Sequence, residues 1–185
     1  MPKKARGPSM LLQNNGNKKT PAILVAQSGV LIALALVFSY VEHIIPIPIP
    51  VPGVKLGLAN LVTLTGLFFL NPIQVFIILV SRILLAGFMF GNLSTIIYSL
   101  AGGIISFLLM YGATKLKAFS PLGISLLGGV FHNLAQLAVA CLILKSTTLL
   151  AYLPVLMISG ITAGALIGIV SKTVSAYVNR RIIPD

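Results

Sequence analysis

Arg82 falls about ten residues into an apolar run that opens at Pro72. A guanidinium at that depth in hydrocarbon is tolerated when it faces a bundle interior and finds a partner. Glu42, near the end of the first apolar run, is the only carboxylate able to serve, because the other acid, Asp185, is the last residue. Two readings stay open: a structural Glu42–Arg82 pair, or an arginine kept for an anionic or carbonyl-bearing ligand. A second polar group interrupts another apolar run at His132, Asn133 and Gln136. His132 and Gln136 are four apart and share a helix face. Such side chains in hydrocarbon either tie helices together or face a cavity. Asn60 and Asn92 are candidates to join them, giving a substrate-binding set of Glu42, Asn60, Arg82, Asn92, His132, Asn133 and Gln136.

Between Glu42 and this set's second member runs a proline-rich segment. Pro46, Pro48, Pro50 and Pro52 stand at every second position, which fixes φ, removes amide donors and holds the chain extended. It reads either as a rigid connector or as a lid over a cavity, since lids come from such loops. The lid reading covers residues 43–54, with His43 and the four prolines, and the adjoining Lys55.

The elements that must hold these residues are apolar. Of 185 residues, 57% are hydrophobic and 8% charged, against about 45–50% and about 25% in soluble domains. Two acids face thirteen Lys and Arg, for a net charge of +11. So few charges exclude a soluble globular domain. The basic residues are scattered singly between apolar runs, which excludes the stripe a nucleic-acid binder needs. One cysteine, Cys141, excludes a disulfide framework, and two histidines with two carboxylates make no convincing metal site. No paired carboxylates, no Asp-rich diphosphate motif and no phosphate loop are present. The chain therefore reads as an integral membrane protein with no catalytic constellation, no cofactor and no bound metal.

A spanning helix needs about 20 mainly apolar residues. Charges and Gly, Pro and Asn breaks divide the chain into six stretches: about 21–41, 56–70, 72–88, 93–114, 121–144 and 149–177. An even count places both termini on one side. That side collects Lys18, Lys19, Lys115, Lys117, Lys172, Arg180 and Arg181, while Lys55 and Lys145 fall opposite. The bias makes both termini cytoplasmic. The organisation is then a basic tail over 1–20, a six-helix membrane domain over 21–177 and a cytoplasmic tail over 178–185. Residues 1–9, ahead of a second methionine, read as an added leader.

Small residues trace two helix faces. Ala22, Ala26, Gly29 and Ala33 recur along the first span, and Gly160, Gly164 and Gly168 along the last. Such faces let helices approach closely. The last reads as packing within the bundle; the first divides between that and docking a partner.

Several runs now stand in order: Pro52-Gly53-Val54-Lys55-Leu56-Gly57-Leu58-Ala59-Asn60, Ser81-Arg82 with Gly91-Asn92 beyond, Ser99-Leu100-Ala101-Gly102-Gly103, and His132-Asn133-Leu134-Ala135-Gln136. Over about residues 25–177 the chain resembles the bacterial Gx transporter family, also labelled heptaprenyl diphosphate synthase component I. That family is similar to the substrate-binding S components of energy-coupling factor (ECF) transporters. The resemblance implies an all-α, six-helix protein of the bacterial cell membrane, with a pocket toward the outside capped by its first loop. It implies docking, through Ala22 and Ala26 of an Ala-x-x-x-Ala pattern, on a T component driven by two ATPases. The expected function is capture of a small molecule for ATP-driven uptake. The alternative is a non-catalytic subunit of a prenyl or quinone pathway or of an electron-transfer complex.

Overall fold

Capping residues announce the helix starts. The Asn71 side chain accepts a hydrogen bond from the Ile73 amide at 3.0 Å, and Ser120 accepts one from the Gly123 amide at 3.2 Å. Each is followed by a proline, which needs no amide partner at the first helical position. A computed structural model describes residues 21–44, 57–116 and 119–182, with side chains to residue 174. Its α-helices are α1 (Pro21–Ile44), α2 (Asn60–Phe69), α3 (Pro72–Phe90), α4 (Leu93–Leu116), α5 (Pro121–Leu144) and α6 (Leu153–Ile182). A 3-10 turn, Thr147–Tyr152, leads into α6. Among the described residues there is no strand, as the all-α expectation requires.

Five of the apolar segments are long enough to cross a membrane, and α2 is not. The run read as a span over about 56–70 is a helix of only ten residues, about 15 Å long against a core of about 30 Å. Local geometry explains the shortfall. Gly57 takes φ +79, and the Asn60 amide closes a turn on the Gly57 carbonyl at 2.7 Å. The helix begins only at Asn60, and Leu70 is extended at its other end. At the C-terminus α6 runs on to Ile182, beyond the boundary expected at 177.

The helix α1 lies parallel to α3. Near their starts Gln74 donates to Ser28 Oγ at 2.9 Å and to the Leu24 carbonyl at 3.3 Å. Near their ends the rings of Tyr40 and Phe90 meet at 5.1 Å. Two parallel neighbours require the chain to return between them, and α2 lies on that return.

The tightest packing joins α5 to α6 and α4. A Cβ built on Gly129 would collide with the Gly160 carbonyl oxygen, and one on Gly164 would lie 2.8 Å from that of Ser125. Backbones this close exclude any side chain. Apolar clusters fill the remaining interior, one around Leu64, Met110 and Ile124, another around Val75, Leu79 and Phe107. The outward surface is as apolar as the core: Val25, Ile73, Phe88 and Leu142 are each at least 70% exposed. Hydrocarbon outside and polar groups inside invert the soluble pattern. Between α1 and α6, floored by α2, opens an apolar groove of about 760 Å³.

Candidate binding site

Buried polar side chains converge where α1 and α3 end and α2 and α4 begin. On α1, Ser39 and Glu42 are three apart on one face and both buried, while Tyr40 and Val41 between them are exposed. Arg82, 9% exposed, comes from the inward face of α3, with Ile83, Ala86 and Gly87 beside it. Asn60 is the first residue of α2, so the Gly57 turn that shortens the helix is what delivers it. Thr95 and Ser99 come from α4 and His132 from α5. Together they line one small cavity of about 20 Å³, room for about one water.

The wall is held by specific contacts. Glu42 Oε1 accepts a hydrogen bond from the Leu58 amide, tying the end of α1 to the turn before α2. Its carboxylate also acts electrostatically on Arg82, so the two charges of the cavity answer each other. His132 Nε2 lies 3.1 Å from Gln136 Nε2, one turn along α5. A Cβ on Gly102 would come within 2.8 Å of both the His132 carbonyl oxygen and Gln136 Cγ. The bare backbone of α4 therefore presses that pair into place. Around the cavity, Arg82 Nε, Asn60 Oδ1 and Gln136 Oε1 are buried atoms with no hydrogen-bond partner among the described residues. Each such atom is a group that a ligand or water completes.

Five of the seven residues expected to bind substrate are thus brought together: Glu42, Asn60, Arg82 and His132 on the cavity wall, Gln136 behind His132. The other two are not. Asn92 is exposed at the start of α4, where its Oδ1 accepts from the Thr95 amide at 2.9 Å and from Thr95 Oγ1 at 3.0 Å. Its place is a helix cap, not the cavity. Asn133, one residue past His132 and turned away, donates to the Leu156 carbonyl of α6 at 2.9 Å. It ties two helices, although a smaller space of about 10 Å³ lies between it and Asn60. Of the expected lid, His43 is exposed and stacks on Phe90 at 5.9 Å. Pro46, Pro48, Pro50, Pro52 and Lys55 lie outside the described residues. Ser39, Thr95 and Ser99 were not foreseen. Ser39 carried a signal in its three-residue spacing from Glu42, and Ser99 in its place one turn before Gly102 and Gly103.

The expected docking residues behave alike. Ala22, Ala26, Gly29 and Ala33 are all exposed, and a Cβ on Gly29 would meet nothing within 4 Å. Ala26 also lines the groove between α1, α2 and α6.

Long apolar helices around a small cavity lined by buried polar side chains define a class: a multi-pass helical membrane protein with a buried polar site. The chain matches the family model described as heptaprenyl diphosphate synthase component I over residues 31–174, and it belongs to that family. No curated protein and no solved structure gives a match.

Proposed function

We propose that this protein is the substrate-binding, S-component-like subunit of a membrane transporter. It captures a small molecule at the outer face of a bacterial cell membrane for ATP-driven uptake with an ECF module. The observation that carries the reading is a cavity between apolar helices in which buried polar atoms of Arg82 and Asn60 have no partner among the described residues. Such groups are costly in hydrocarbon and are kept where they act. Glu42, Asn60, Arg82, His132 and Gln136 bind the substrate; Asn92 and Asn133 hold the helices that carry them. At about 20 Å³ the cavity is far below the roughly 300 Å³ of a ligand pocket, so loading widens it, and the segment from His43 to Lys55 acts as the lid.

Parallel α1 and α3 support six passes, with the return through α2. Lys115 and Lys172, with Lys18, Lys19, Lys117, Arg180 and Arg181, put both termini in the cytoplasm. The exposed small-residue face of α1, beside the apolar groove, supports docking on a T component. Energy comes from the ATPases of that module. Native mass spectrometry of protein purified without added ligand tests the binding reading: a retained small molecule, lost in Arg82→Ala, is expected. Co-purification with a T component and ATPases tests the partnership.

The family's description favours a second reading, a non-catalytic membrane component of a prenyl or quinone pathway or of an electron-transfer complex. The apolar groove of about 760 Å³ then takes an isoprenoid chain. Association with a prenyl synthase or redox partner, and none with an ECF module, would decide for it.

A further inference from the structure

We infer that the groove between α1, α2 and α6 seats an acyl chain of one anionic phospholipid, drawn from the membrane leaflet on the side of the chain termini. This ligand belongs to the bilayer and is distinct from the cargo of the polar cavity. Shape, lining and charge all point to it.

The groove of about 760 Å³ is walled by Ala26, Val30 and Leu34 of α1 and by Val170 and Val174 of α6, with Phe69 of α2 at its floor. A chain lying there is met from three sides, whereas a lipid on the flat outer surface is met from one. Along α1 the wall runs from Ala26 to Phe38, a rise of about 18 Å. That is close to one leaflet of a hydrocarbon core of about 30 Å, and short of the full depth that a partner's spanning helix covers.

The lining is apolar apart from Gln27 and Thr65. The Thr65 hydroxyl is spent on Ser171 Oγ at 3.4 Å, and Gln27 is engaged within the protein. Among the described residues, none of the buried polar atoms left without a hydrogen bond belongs to the groove. The polar cavity differs in this respect. A plain hydrocarbon chain is the matching occupant, because it brings no donor or acceptor that the groove would have to satisfy.

Charge selects the head group. Ala26 near the start of α1 and Val174 far along α6 line the same groove, so these two helix ends lie on one side of the bundle. The helix α6 runs on for about two turns past Val174, to Ile182. Arg181, seven residues past Val174, falls on the same line of the helix, and Arg180 adjoins it. Lys172 is exposed on α6. Lys18 and Lys19 stand within three residues of Pro21, where α1 begins. Residues 1–41 and 146–184 contain no Asp or Glu, and Asp185 is the single acid beyond them. A basic cluster of this size at the ends of membrane helices attracts an anionic head group. A zwitterionic lipid offers the same chains without the net charge.

The experiment places the full chain in nanodiscs of equal parts phosphatidylglycerol and phosphatidylcholine. Native mass spectrometry then identifies the lipid that stays bound. One retained phospholipid is expected, with phosphatidylglycerol favoured by at least about fivefold, the discrimination that one basic residue at a membrane surface supplies. Val30→Trp fills the groove from a position that is 69% exposed, so the adduct should be lost while the unfolding midpoint holds. Leu34→Trp, one turn along α1, makes the same test should Val30→Trp fail to fold. In the triple variant Lys172→Gln, Arg180→Gln, Arg181→Gln, a lipid should remain and the preference should vanish. Arg82→Ala should leave the lipid in place, which separates it from the cargo of the cavity. No retained lipid, equal retention of the two head groups by wild-type protein, or an undiminished adduct in the groove variants overturns the inference. So does a prenyl diphosphate recovered in place of a phospholipid from protein purified out of a bacterial membrane, which gives the groove to the second reading above.

Discussion

Two stripes of small residues run along this chain, one on α1 and one on α6, and their surroundings are opposite. Gly160, Gly164 and Gly168 lie against the backbone of α5, where a Cβ at Gly160 would come within 2.8 Å of the Gly129 carbonyl oxygen. Ala22, Ala26, Gly29 and Ala33 face outward, and nothing among the described residues lies within 4 Å of a Cβ at Gly29. In hydrocarbon there is no hydrophobic drive to bring helices together, so close approach through small residues has to supply the contact. On α6 that contact is made internally. On α1 the same device is left unused by the described residues, and it borders the groove over α2. A short α2 is the reason: ten residues cannot fill the gap between α1 and α6.

Substitution should separate the two stripes sharply. The largest effect is expected on the α5–α6 side, at Gly129→Ala. Its methyl would collide with the Gly160 carbonyl oxygen, a backbone atom that has no rotamer to escape into. The two helices must part, at a cost of about 3 kcal/mol. Thermal unfolding in detergent should show a markedly lowered midpoint. An unchanged midpoint would mean that α5 and α6 are not packed backbone to backbone.

The contrast on α1 is one of partners, not stability. Ala26→Trp adds a large ring to an exposed position, so the protein should fold and bind ligand as before, within about 0.5 kcal/mol. Co-purification with a T component and its ATPases should be abolished. Retained association would remove the α1 face from the docking surface, while loss of folding would move it to the α6 class.

How far the residues spoke for themselves differs between these regions. The α6 stripe, the capped starts at Pro72 and Pro121 and the inward-facing Arg82 were all legible, because each depends on local spacing or on the penalty for charge in hydrocarbon. The convergence of Glu42, Asn60, Arg82 and His132 was legible in kind, since so few polar residues occupy the apolar runs. Asn92, expected at the site, caps α4: an asparagine beside a glycine serves equally as a helix cap, and spacing alone does not distinguish cap from ligand. Asn133 shows the converse: adjacent to His132 in sequence, it points about 100° away on the helix and finds a carbonyl on α6. The shortness of α2 depends on a positive φ at Gly57, one of many glycines in the chain. Hydropathy counts residues and does not see where the turn falls.

Gly102 tests whether the site shares the tight character of the α6 side. Alanine there meets the His132 carbonyl and Gln136 Cγ at 2.8 Å and His132 Cε1 at 3.0 Å. The one backbone atom among them is less closely approached than at Gly129 and the side chains can yield, so the stability loss should be smaller than at Gly129, about 1–2 kcal/mol. Ligand retention should fall more than stability does, because the displaced atoms belong to the cavity wall. A fall in stability with retention intact would separate the His132–Gln136 pair from the binding site.

The smallest effect, and the cleanest check on the comparison, is expected at Gly29→Ala. The position lies inside α1 with open space around it, so the new methyl meets no neighbour. Replacing glycine by alanine in a helix interior gains about 0.5–1 kcal/mol by restricting the unfolded backbone. The unfolding midpoint of the isolated protein should therefore rise slightly, opposite in sign to Gly129→Ala. A methyl is also small enough to keep the Ala-and-Gly face able to meet another helix, so partner association should weaken far less than with Ala26→Trp. If Gly29→Ala instead destabilises the isolated chain, α1 is packed against something within it, and the distinction between a spent stripe and an open one disappears.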